Sequence, residues 1–96
     1  MHDNGQGILA RLEEQHSFPG PFMFKAIGPN SAAFVAAVTQ AAVVVLGVRE
    51  VPKVATRDSG GGKHTAVTLV ARVQTAQQVL DIWALMAKVD GVKMVM

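Results

Sequence analysis

Three histidines, His2, His16 and His64, are the side chains of this 96-residue chain best suited to proton transfer or metal ligation near neutral pH. They fall on separate segments. No H-x-H or H-x-x-x-H spacing brings two onto one face of an element, so no metal site is expected. The absence of cysteine removes thiol nucleophiles, thiolate ligands and disulfides together. The carboxylates are as scattered: Glu13 and Glu14 lie in an N-terminal amphipathic stretch, Asp81 and Asp90 in and just beyond a later helix. Ser17 and Ser59 belong to loops. No nucleophile, base and acid can be assembled from these positions, so the expectation is a non-enzyme without a cofactor.

Binding chemistry has more to work with. The segment Gly28-Pro29-Asn30-Ser31 ends a strand and starts a helix, so free helix amides there could hold an anion or a small effector's carboxylate. Gly28, Asn30 and Ser31 are the candidate ligand residues; a turn with a helix cap is the plainer account. Ser59 followed by Gly60-Gly61-Gly62-Lys63 resembles half of a phosphate loop. It lacks the full G-x-x-x-x-G-K-[ST] spacing and joins two strands, which makes it a flexible hairpin with Gly61 near its tip. His64, beside Lys63, could tune an anion site there; otherwise it is an ordinary surface histidine.

The elements that position these residues are legible from periodicity. Phe18-Pro19-Gly20-Pro21 is a turn-forming entry, after which Phe22, Phe24 and Ala26 alternate with Met23, Lys25 and Ile27 as in a strand. Residues 32–46 place Phe34, Val38, Ala42 and Leu46 every fourth position, widened by Val35, Ala41 and Val45, and Gly47 stops the helix. Residues 48–58 read as a strand anchored by Val51 and Val54. Pro52 removes a ladder donor and assigns that strand to an edge. From His64 to Val73 alternation returns, with Val67, Leu69, Ala71 and Val73 opposed to Thr68, Val70 and Arg72. Thr75 caps a second long helix, Gln78 standing at the capping-box position, with Val79, Ile82, Trp83 and Met86 on its apolar face. Gly91 permits the exit, and residues 92–96 alternate as a last strand. Ile8, Leu9 and Leu12 mark a short helix within residues 1–17, and residues 18–96 form one domain.

The order β-α-β-β-α-β interleaves two split βαβ units. That is an α+β, ferredoxin-like arrangement: a four-stranded antiparallel sheet in the order 4-1-3-2, two helices on one face and a short extra N-terminal helix. Lys25, Arg72 and Lys93 then fall on the uncovered face, among Met23, Ile27, Thr68, Val70 and Val95. They would form a band across neighbouring strands.

Several of these segments resemble the YbeD-like family of small bacterial proteins. They are Phe18-Pro19-Gly20-Pro21-Phe22 with Lys25 and Gly28, Ser59 with its glycine hairpin, and Val79, Trp83, Lys88-Val89-Asp90 and Val92-Lys93-Met94-Val95-Met96. The resemblance covers most of the chain from Phe18 onward. It implies a ferredoxin-like domain close to the ACT regulatory domain and brings no assigned activity. Two positions depart from the family pattern: His64 stands where an aromatic residue is usual, and Ala66 where serine is common.

Composition frames the function classes. Half the residues are hydrophobic and the net charge is +2, which fits one compact core and is too weak a basicity to argue for nucleic acid. The N-terminus has no basic region followed by a long apolar run, and the longest apolar run, residues 41–46, falls well short of the ~20 residues that span a bilayer. The leading expectation is a cytoplasmic regulatory or protein-interaction domain that self-associates or meets another protein, with a small effector as a further option. The alternative is a nucleic-acid module using the basic sheet face. That alternative ranks lower, because RNA platforms stack bases on aromatic residues and the outward positions here have none.

Overall fold

The computed structural model describes residues 4–47 and 51–96. The element order is α1 (Asn4–Gln15), β1 (Gly20–Pro29), α2 (Ala32–Leu46), β2 (Lys53–Asp58), β3 (His64–Val73), α3 (Ala76–Ala87) and β4 (Met94–Val95). The strands form one antiparallel sheet in the order β2-β3-β1-β4, the ferredoxin-like 4-1-3-2 arrangement. His2 and the first residues of the expected frayed end lie outside the described residues, as do Val48, Arg49 and Glu50 of the expected second strand.

The two central strands follow their sequence pattern closely. Inward positions Phe24, Ala26, Val67, Leu69 and Val73 are fully buried, while Met23, Lys25, Val70 and Arg72 turn to the other face. Phe24 opposes Leu69 and Ala26 opposes Val67, so the pairing register and the burial pattern agree. From above, α2 contributes Phe34, Val38, Ala41 and Ala42, and α3 contributes Ala76, Val79, Ile82 and Met86. Val43-Val44-Val45 are β-branched, a type that favours strands, yet they continue α2 because the four-residue stripe upstream commits that face to the core. Gly47 closes α2 at φ 85°, its N–H donating to Val43 O at 2.8 Å.

Local caps act largely as their residue types require. Ser31 Oγ accepts from Phe34 N–H at 3.1 Å and Thr75 Oγ1 from Gln78 N–H at 3.3 Å. The capping box at α3 is displaced by one residue: Gln78 Oε1 accepts from Gln74 N–H at 2.7 Å, not from the cap residue itself.

α1 spans twelve residues, and Leu12 is buried in the common core with Leu9 packed against it. Two expectations need correction. Val51 and Val54 do not anchor β2, being 78% and 43% exposed. The strand starts at Lys53 with every residue exposed, and Pro52 is buried just ahead of it. The helices pack on β1, β3 and β4, which leaves the outermost strand projecting beyond the helical layer. Trp83 is only half buried; its ring meets Phe22 edge-on at 5.9 Å, and Phe22 in turn stacks at 4.9 Å on the fully buried Phe24.

Candidate interaction face

Pairing register decides which side chains share the uncovered face of the sheet, because residues opposite one another point the same way. Lys53, Val70 and Met23 form one row, and Ala55, Thr68 and Lys25 the next. Arg57, Ala66, Ile27 and Met94 form a third. Arg72 stands beside Pro21 at the far end. Met96 extends the second row, since it exchanges both backbone hydrogen bonds with Lys25 at 2.8 and 2.9 Å.

Lys25, Lys53, Arg57 and Arg72 are therefore on one face, and no Asp or Glu among the described strand residues joins them. The single strand carboxylate, Asp58, pairs with the buried Thr65 and has the opposite parity. Between the cations lie Met23, Met94 and Met96, each more than half exposed, with Ile27 and Val70. Unbranched thioether side chains repack easily against differing shapes, and a methionine-rich surface framed by cations is well suited to receiving another macromolecule.

The expected crosswise band of Lys25, Arg72 and Lys93 does not form. Lys25 and Arg72 are four residues apart along the β1–β3 ladder, roughly 13 Å at strand rise. In β4, Met94 opposes Ile27 and Val95 opposes Ala26, so Val95 turns toward the helices and packs on the core. Lys93 stands exposed just ahead of the strand, its N–H donating to Ile27 O at 2.7 Å. The apolar residues of this segment occupy both parities, which left the sequence pattern ambiguous there. Lys53 and Arg57 were missed for a related reason: no buried row marks which way β2 faces.

The two candidate loops meet at one end of the sheet. Asn30 Nδ2 donates to Gly62 O at 2.9 Å and Asn30 N–H donates to Lys63 O at 3.0 Å, tying residues 28–31 to the glycine hairpin. Within the hairpin, Ser59 N–H donates to His64 O at 2.8 Å, and Ser59 Oγ accepts from His64 N–H at 3.3 Å. Both Asn30 donor groups named here are engaged internally, and Ser31 caps α2. Gly28 has a packing role: a Cβ there would lie 2.4 Å from two atoms of the Phe34 ring. At this end the open face dips into a shallow depression of about 220 Å³ lined by Ile27, Arg57, Ser59, His64 and Ala66, with Asp58 and Thr65 of the opposite parity at its border. His64 and Ala66, the two departures from the YbeD-like pattern, are thus neighbours in one hollow. His16, by contrast, sets its ring against Phe22 with centroids 4.8 Å apart, at the start of β1 rather than at its loop end. Among the described residues no cluster of three or more His, Asp or Glu is grouped to hold a metal, and no helix is long and apolar enough to cross a membrane.

The family model of DUF493, described as a protein of unknown function, matches residues 13–96. The chain belongs to the DUF493 family. This is the family known as YbeD-like, the one the F-P-x-P-F entry and the C-terminal segment resemble. The DUF493 match begins inside α1 and takes in the whole sheet and both covering helices. A search of curated proteins found no match to this chain.

Proposed function

We propose that this DUF493 domain is a non-catalytic interaction module of the cytoplasm whose open sheet face receives an acidic protein segment or surface. One observation carries the reading: Lys25, Lys53, Arg57 and Arg72 share a methionine-rich face on which the described strand residues place no carboxylate. Charge of one sign on an exposed face speeds encounter with the opposite sign and rejects like-charged partners. The same cations would also attract phosphates, but the positions that stack bases in a four-stranded RNA platform hold Met23, Lys25, Thr68 and Val70 here.

A direct comparison tests it. A fluorescent glutamate-rich dodecapeptide and an oligothymidylate of matched charge are titrated against the protein and against a Lys25→Glu, Lys53→Glu, Arg57→Glu variant. The wild type should prefer the peptide, and the variant should lose about tenfold or more, as expected for three exposed charge pairs at about 0.2–1 kcal/mol each together with new repulsion. Tighter oligonucleotide binding with a steep salt slope would favour a nucleic-acid module instead. Peptide binding that ignores the charge reversal would remove the basis of the proposal.

A further inference from the structure

The β2 strand is a free edge of unusual openness. It pairs on one side only, with β3, and all six of its residues are exposed. Antiparallel ladders alternate between pairs that exchange hydrogen bonds and pairs that do not. Ser59 N–H bonds His64 O, which makes Arg57–Ala66, Ala55–Thr68 and Lys53–Val70 the bonded pairs in phase with it. The N–H and C=O groups of Val54, Thr56 and Asp58 therefore aim away from the sheet. Among the described residues no backbone or side-chain group takes them up. A row of such groups is a template for another strand.

A second copy of the chain fits this template badly. A two-fold axis normal to the sheet keeps both open faces on the same side. Centred on Ala55, it sets Lys53 directly opposite the partner's Arg57; centred on Thr56, it leaves the same two cations as diagonal neighbours. Like charges so placed on one face are destabilising. An extended segment carrying acids is favoured by the same geometry.

We propose that the β2 edge takes an extended acidic segment of a partner protein as a fifth strand. Its carboxylates would be spaced i and i+4 to stand beside Lys53 and Arg57. Intervening apolar residues would fall on the other face, beside Val54, where no helix covers the strand. This inference rests on the reading of the open face as a docking surface for an acidic partner, and specifies how that partner is held.

The test uses the full chain and the blocked heptapeptide TEVTVET, with TKVTVKT as its charge-reversed control. Strand addition should slow amide exchange at Val54, Thr56 and Asp58 at least tenfold at saturation, because those N–H groups gain acceptors. Thr56→Pro removes the central outward donor at a position where an edge strand tolerates proline, and should weaken binding at least tenfold. Lys53→Glu with Arg57→Glu should transfer preference to TKVTVKT. The exchange measurement needs no variant, so it stands even if the proline substitution disturbs folding. Binding of TEVTVET without protection of the three amides would overturn strand addition, and so would failure of TEVTVET to bind. Charge-dependent capture of the glutamate-rich dodecapeptide in either case would leave the docking reading intact; loss of that capture as well would sink both.

Discussion

Replacing Gly28 by alanine should destabilise the domain although it adds a single methyl group to a strand. The added Cβ would sit 2.4 Å from Cε1 and from Cζ of Phe34 and 2.9 Å from Cε2. Carbon atoms in favourable contact stand about 3.5–4.0 Å apart, so the ring must retreat by roughly 1 Å or more. It has little room to do so, being 3% exposed at the start of α2 and wedged into the core. Overpacking of this kind costs about 1–3 kcal/mol. Against that, alanine restricts the unfolded chain and returns about 0.4–1 kcal/mol. A net loss near 1–2 kcal/mol lowers the melting temperature of a domain this size by roughly 4–16 °C. The assay is thermal and urea unfolding of Gly28→Ala, Phe34→Leu and the double variant. Shrinking the ring should relieve the clash, so the double variant should be more stable than the sum of the single losses allows. Gly61→Ala serves as the control, since nothing lies within 4 Å of the Cβ it would carry. An unchanged melting temperature for Gly28→Ala, or strict additivity in the cycle, would refute the close-approach argument and return Gly28 to the list of ligand-loop glycines.

Phe24→Ala should cost about 3–5 kcal/mol, because Phe24 is fully buried between sheet and helices, and an unfolding midpoint near wild type would contradict its inward placement. Trp83→Ala should cost less than Phe24→Ala, the indole being only partly buried where Phe24 is wholly so; equal losses would argue against the observed difference in burial. Leu12→Ala should lose about 2–4 kcal/mol in urea unfolding if α1 belongs to the core, whereas a change within about 0.5 kcal/mol would make the helix an appendage. Asn30→Ala removes the side-chain bond to Gly62 O at modest cost, about 0.5–1 kcal/mol at an exposed site, and should accelerate amide exchange through residues 60–64; unchanged rates there would show that the backbone bond to Lys63 suffices alone.

The sequence alone determined the parts of this fold where burial separates one face from the other. In β1 and β3 the apolar residues recur with period two and the core accepts one parity only, so side-chain direction, central position and strand order could be read together. Asn30-Ser31 and Thr75 announced the helix starts because free amides at a helix end need an acceptor, which Ser31 and Thr75 supply with their hydroxyls. Pro52 stands just ahead of β2 and takes no place in its ladder, so the edge position expected for this strand holds without the missing donor that was its argument. Tertiary structure had to decide the rest. In β2 no residue is buried, so nothing in Lys53-Val54-Ala55-Thr56-Arg57-Asp58 says which parity faces out until pairing with β3 sets it. In β4 both parities are apolar, and pairing with β1 sends Met94 to the open face and Val95 to the core. Pairing across the central strands also brings Asn30 to Gly62, thirty-two residues away in the chain. The candidate site was legible only in half, because two of its four cations are assigned by a pairing register that the local pattern does not encode.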